Sequence, residues 1–140
     1  MYRILMPTDL DEDRARTQAR FIAGLPAASE SIEVLVQFVF HGEGRQAPEE
    51  IKPQASAHRV ASVRRATEIL DEHDVEYSVI EGSGNTAEDI IKKADAEDVD
   101  LIVLGGRRRR PTGKILFGSV SQEVLLNTDR PVTVTGARRQ

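Results

Sequence analysis

Nine residues, Ile32-Glu-Val-Leu-Val-Gln-Phe-Val-Phe40, constrain the fold of this chain more than any other stretch. A strand with one wet face would alternate apolar and polar residues, and this one is almost continuously apolar. It suits a central parallel strand covered on both faces. The rest of the chain supplies the cover. Short apolar runs alternate with segments whose apolar residues recur at helical spacing, in the order β-α-β-α-β-α-β-α-β, without internal repeat or low-complexity segment. At 140 residues the chain has the commonest size of one domain. The expectation is an α/β fold in which one domain over residues 1–140 carries a five-stranded parallel sheet between helical layers, α/β/α, with right-handed crossovers.

Tyr2–Met6 reads as a buried first strand, ended by a turn at Pro7-Thr8-Asp9. Asp11, Glu12 and Asp13 put acid at a helix start, where the macrodipole favours it. Ala15, Ala19, Ile22 and Ala23 form its apolar stripe, and Gly24 with Pro26 ends it. His41–Pro53 lacks any period and reads as a loop. A helix over Ala55–Glu72 carries Val60, Val63, Thr67 and Leu70 on one stripe, with Ala66 and Ile69 beside it. Glu76–Glu81 is a short strand turned by Gly82-Ser83-Gly84. Asn85 or Thr86 caps the next helix, each with an acid three residues on (Glu88 or Asp89), and Ala87, Ile90, Ile91 and Ala94 share a face.

Leu101–Leu104 is the fourth strand. Gly105-Gly106 and an irregular polar loop follow it. Ser119 with Gln122 then makes a capping box for the last helix, with Val120, Val124 and Leu125 as its apolar side. Pro131–Thr135 is the final strand, and residues 136–140 a polar tail.

Composition removes several function classes. No run approaches the roughly 20 apolar residues that span a bilayer, and Met1–Pro7 lacks the apolar core and cleavage site of a secretion signal. Without cysteine there is no disulfide framework or thiolate metal site. A cytoplasmic protein without membrane contact is expected. The net charge of −4 argues against general nucleic-acid binding, which needs a basic face. The 15 Arg against 4 Lys point to genome composition or to a saline habitat, such as that of a halophilic archaeon.

A strand that hands its backbone to a glycine turn and then to a helix N-terminus is a phosphate-binding arrangement, and 101–121 has that form. Glycine lets a ligand approach the backbone, and the unpaired amides of a helix start carry partial positive charge. In parallel sheets ligands sit beyond the strand carboxyl ends where strand order reverses, and the first and fourth strands end at Asp9 and Gly105. Asp9 has two readings: it closes a turn or caps the first helix, or it meets a ligand. Arg107–Arg110 is either a solvated charge run or a phosphate-binding one, since guanidinium matches phosphate geometry. With Phe117 as the nearest aromatic residue, polyanion binding is less supported.

Other motifs fail. Gly106 and Gly113-Lys114 enclose six residues, and Ile115 stands where a Walker A loop needs a hydroxyl. Gly82-x-Gly84-x-x-Ala87 matches a dinucleotide fingerprint but lacks a following ribose-binding acid, and we read it as a tight turn. His41, His58 and His73 have no metal-ligand spacing and read as exposed.

The strand ending in Pro7-Thr8-Asp9, the pattern Gly105 to Gly118-Ser119 and the strand start Pro131-Val132 resemble the universal stress protein family. Its signature is Gly, two residues, Gly, nine residues, then Gly-Ser/Thr. The resemblance implies a Rossmann-like sheet ordered 3-2-1-4-5 and a homodimer joined through the last strand, Pro131–Thr135. It also implies an ATP or AMP site, with Mg²⁺ as a companion ion. Asp9 would meet the ribose or adenine side, with Pro7 and Thr8 shaping the pocket, and Val39 would offer backbone hydrogen bonds to adenine. Leu104 and Gly105 would lie along the nucleotide, and Gly118, Ser119, Val120 and Ser121 would hold phosphates. The signature's second glycine falls on Arg108, whose side chain either blocks the close approach or, like Arg107, reaches a phosphate as a cation.

The function expected is therefore non-enzymatic: a nucleotide-responsive stress protein whose occupied pocket orders Arg107–Thr112 and alters a surface seen by a protein partner not identified by the sequence. The alternative is a dimeric interaction module that has lost nucleotide binding through Arg108. Slow ATP hydrolysis would have Asp9 as its only evident base.

Overall fold

A computed structural model describes residues 1–39, 60–80, 86–108, 115–116 and 118–136. The first strand, β1, runs Tyr2–Thr8 and passes through the expected turn at Pro7. The Thr8 carbonyl accepts from the Val39 amide at 2.8 Å on the β2 side. Pro7 therefore faces the other neighbour, β4, where pairing with β1 has already ended at Leu5 opposite Ile102. A missing N–H costs nothing there.

Helix α1, Glu12–Ala23, starts at Asp11, whose carboxylate accepts from the Arg14 amide. Its buried residues are Ala15, Gln18, Ala19 and Ile22, so Gln18 takes a place in the stripe that Ala23 was expected to fill. A one-turn helix, α2 (Ala28–Ser31), has no counterpart in the sequence reading. Strand β2 is Ile32–Phe38, extended by the Val39 amide, and helix α3 is Ala61–Glu72. In α3 the buried face holds Ser62, Val63, Ala66, Ile69 and Leu70, and Thr67, expected on that face, is half-exposed. Strand β3 (Glu76–Ile80), helix α4 (Thr86–Ala96) and strand β4 (Leu101–Gly105) follow. Phe40, the loop 41–53, helix residues 55–59, Glu81, the turn 82–84, Asn85, residues 109–114, Phe117 and the tail 137–140 lie outside the described residues.

Three expectations near the end of the chain are corrected. The polar loop after β4 begins and ends as an antiparallel ribbon, β5 (Arg107–Arg108) on β6 (Ile115–Leu116), with Arg108 opposite Ile115. The capping box does not form. Helix α5 spans Ser119–Asn127, its N-cap is Gly118, and no side chain caps it. Ser119 is already helical, so its hydroxyl is one position too late to cap. The apolar side of α5 is also narrower than expected: Val124 is fully buried, whereas Leu125 is 38% and Leu126 82% exposed.

The last strand, β7 (Val132–Thr135), completes a five-stranded sheet ordered β3-β2-β1-β4-β7 with every pairing parallel. This is the expected order 3-2-1-4-5, β7 taking the fifth place. Helices α1 and α3 cover one face over Ile4, Met6, Val34, Val36 and Val103. On the other face Leu5, Leu35, Ile102 and Leu104 pack against α4 and Val124 of α5. Strand β1 thus sends its chain to one face and β4 to the other, which makes the gap between them the switch point.

Candidate functional site

Because β1 and β4 part after Leu5 and Ile102, their last carbonyls lack a ladder partner. Gln18 supplies it. Its side-chain amide, fully buried on α1, donates to the Pro7 carbonyl at 2.7 Å and to the Val103 carbonyl at 3.0 Å. One side chain thus satisfies two strands whose backbones have separated, as buried carbonyls require. Above it lies a cleft of about 50 Å³.

Seven of the residues expected from the sequence line this cleft: Pro7, Asp9, Val39, Leu104, Gly105, Val120 and Ser121. Four others line it that sequence reasoning did not single out as site residues: Arg14, Gln18, Thr86 and Ile90. Their only signal was spacing, since Arg14 and Gln18 on α1, like Thr86 and Ile90 on α4, stand four apart and share a helix face. Thr8 is fully buried, and its hydroxyl turns back to the Met6 carbonyl. Gly118 and Ser119 stand at the start of α5 outside the lining, half-buried and exposed respectively. Arg107 and Arg108 enter the ribbon directly after β4.

Asp9 closes a turn, the first of its two readings, and also lines the cleft. One carboxylate oxygen accepts from the Asp11 amide at 2.9 Å, which closes a turn, while the other pairs with Arg14 in the cleft. Its carbonyl accepts from the buried Ser62 hydroxyl, so α3 fixes the backbone of the acid from behind. Arg14 is also paired with Asp11 at 3.3 Å. The Arg14 stem lies against Gly105, where an added Cβ would overlap its Cγ and Cδ.

Two backbone amides near the cleft are already committed: Val39 donates to Thr8, and Gly106 to Thr135 at 2.7 Å. Helix α5 differs. Its first helical bond runs from the Gln122 amide to the Gly118 carbonyl, so the amides of Ser119, Val120 and Ser121 precede the ladder. An N-terminus of this kind favours an anion. Among the described residues no group of three or more His, Asp or Glu side chains could hold a metal ion, and no helix is long and apolar enough to cross a membrane. His73 ends α3 and is exposed, as expected, with its Nδ1 2.9 Å from the Ile69 carbonyl; His41 and His58 lie outside the described residues.

Similarity to known proteins follows the same outline. The universal stress protein from Archaeoglobus fulgidus superposes with a TM-score of 0.74 at 31% identity, covering 96% of this chain and 98% of that one. A universal stress protein of the same organism in complex with dAMP superposes with a TM-score of 0.70 at 26% identity over the same shares. A universal stress protein of Mycolicibacterium smegmatis is 36% identical over 64 residues, 45% of this chain and 49% of that protein. The chain spans about half the length, or less, of the curated relatives it matches. Since the family model itself extends over residues 1–136, from β1 through the crevice to β7, the chain belongs to the universal stress protein family.

Proposed function

We propose that this protein binds an adenine nucleotide, ATP or AMP, in the crevice between β1 and β4 and acts as a non-enzymatic regulatory dimer. The observation that carries the reading is convergence. Asp9, Gly105 and the first turn of α5, through Val120 and Ser121, meet on one cleft at the switch point. In this reading Asp9 takes the sugar, the Val39 carbonyl faces the base and the amides at the start of α5 take phosphate. The dAMP complex of the Archaeoglobus fulgidus protein supports an adenine ligand.

The dimer is proposed through β7. It is an edge of the sheet among the described residues, with half-buried Val132 and Val134 and the exposed Leu125 and Leu126 of α5 near it in sequence. An edge of this kind invites pairing with a second copy. A cytoplasmic location and a protein partner that reads the occupied state complete the proposal.

Calorimetric titration with ATP and AMP, with and without Mg²⁺, tests it. Saturable heat at millimolar ligand or below is expected, and none would remove the nucleotide. Light scattering at micromolar concentration should give twice the chain mass.

One observation favours a second reading, a dimeric interaction module with no nucleotide. The cleft of about 50 Å³ is far below the roughly 300 Å³ at which ligand pockets begin. If the ribbon position of Arg108 is the cause, Arg108→Gly restores binding that the native chain lacks.

A further inference from the structure

The cleft is small for a specific reason: Arg14 lies in it. Its aliphatic stem covers the Cα of Gly105, the position along which a nucleotide would have to lie. Its guanidinium is gripped from two sides, by Asp9 and by Asp11, the N-cap of its own helix. The side chain is 16% exposed, so it is neither a solvated cation nor a core residue. Three of its neighbours are fixed. Gly105 ends a paired strand, Gln18 is bonded to both strand ends, and Asp9 is held by the Asp11 amide and Ser62. Arg14, among the described residues, is a wall of the cleft that can leave without breaking backbone structure, because a guanidinium that swings outward is taken up by water.

We propose that Arg14 is a resident occupant of the nucleotide site and decides what enters it. A ligand gains the floor over Gly105 and the free carboxylate of Asp9 only by displacing the arginine from its two acids. The unliganded protein is then held largely in a state that does not bind, and the apparent affinity falls by the fraction in which Arg14 is out. The displaced guanidinium need not touch the ligand. Entry is therefore restricted to ligands that return hydrogen-bond donors to Asp9, and a sugar hydroxyl does so.

The inference rests on the nucleotide reading above, and the test separates the two. AMP and the uncharged ligand adenosine are titrated calorimetrically into the native protein, Arg14→Ala and Asp11→Asn. Asn caps a helix as well as Asp does, so Asp11→Asn removes one of the two acids while keeping the cap. Arg14→Ala has neither charge-assisted pair for a ligand to break, and it is expected to tighten both ligands by about tenfold or more. Asp11→Asn keeps one pair and should tighten them by about two- to fivefold.

If Arg14→Ala weakens AMP and leaves adenosine unchanged, Arg14 is a phosphate contact and the occupant role is overturned while the nucleotide reading stands. Unchanged affinity for both ligands overturns it equally. If neither ligand binds the native protein or either variant, the nucleotide reading falls and the gate falls with it. Should Arg14→Ala fail to fold, Asp11→Asn decides alone: tightening upholds the gate, and equal or weaker binding overturns it.

Discussion

Arginine meets carboxylate at both ends of the sheet, with opposite consequences. At the N-terminal ends of the strands Arg3 donates to Glu33 at 3.2 Å and to the Glu97 carbonyl at 2.8 Å, while its own amide bonds to Asp100. Arg130 reaches Asp95, Asp98 and the Val99 carbonyl in the same manner, and the hydrogen bond to Asp98, then that to Asp95, raises its pKa above the ordinary guanidinium value. These side chains bridge loops that the ladder has already brought together. At the C-terminal ends Arg14 stands where the ladder has opened, and its partners are the acids of the candidate site. An ion pair laid over a closed end adds small increments in water. One laid into an open end takes up the space a ligand would use. Mutations at the two ends should therefore differ in kind as well as in size.

The largest effect is expected at Gln18, where the open end is held together. Gln18→Leu fills the same volume but leaves the Pro7 and Val103 carbonyls without a donor. Each orphaned buried group costs about 1–3 kcal/mol, so urea denaturation should show a loss of about 2–4 kcal/mol. A loss below about 1 kcal/mol would mean that the strand ends are not braced by this amide.

Gly105→Ala comes next and separates space from stability. The new Cβ overlaps the Arg14 stem, so the arginine must give way, at an expected cost of about 1–2 kcal/mol. In an Arg14→Ala background the overlap with the stem is gone and only the tight 3.2 Å approach to Gln18 Oε1 remains, so the same substitution should cost less. The two changes should therefore be non-additive by about 1 kcal/mol in a double-mutant cycle. Additive values would place the Arg14 stem elsewhere.

The contrast between the ends also explains what the sequence could disclose. Strands and helices were legible because their apolar periods are strong and glycine or proline marks most junctions, as at Gly24 and Pro26. The alternation placed Asp9 and Gly105 at the carboxyl ends of the first and fourth strands, and the family resemblance made those two strands neighbours. Gln18 gives no local signal because its two acceptors lie on different strands, Pro7 and Val103, 96 residues apart in sequence and brought together only by the sheet. Arg14 reads as one more cation near an acidic helix start; its place over Gly105 depends on β1 and β4 parting, which no local pattern encodes. Ser119 and Gln122 have the letters of a capping box, but the helix begins one residue too early for the hydroxyl to cap it. Leu125 has an apolar side chain at a position one step round from Val120 and Val124, and the rotation leaves it outside.

At the closed end the effects should be minor. Arg3→Met keeps the stem and removes the charge. The partners of Arg3 are partly exposed, so the loss should be at most about 1 kcal/mol and should shrink further in molar salt. Ligand binding should not change. If Arg3→Met altered nucleotide affinity as much as Arg14→Ala, the separation of the two ends would be wrong.

Tyr77 gives the smallest effect and the only one with a pH signature. It sits one residue into β3, opposite Val34, at the same closed end, and its hydroxyl donates to Asp71 at 3.0 Å. Partial burial first, then the Asp71 hydrogen bond and charge, raise its pKa above 10.0, because each disfavours the phenolate. A folded-state pKa raised above the unfolded one gives stability that is complete below the unfolded value of about 10 and is lost as pH rises through the folded value. At neutral pH Tyr77→Phe should cost about 0.5 kcal/mol, the lower end for one solvent-facing hydrogen bond. Above pH 10 the native protein should lose stability more steeply than Tyr77→Phe, so the two denaturation curves converge. Parallel pH profiles would show that Tyr77 ionises as freely folded as unfolded. The closed end would then be held by the ladder and its arginines alone.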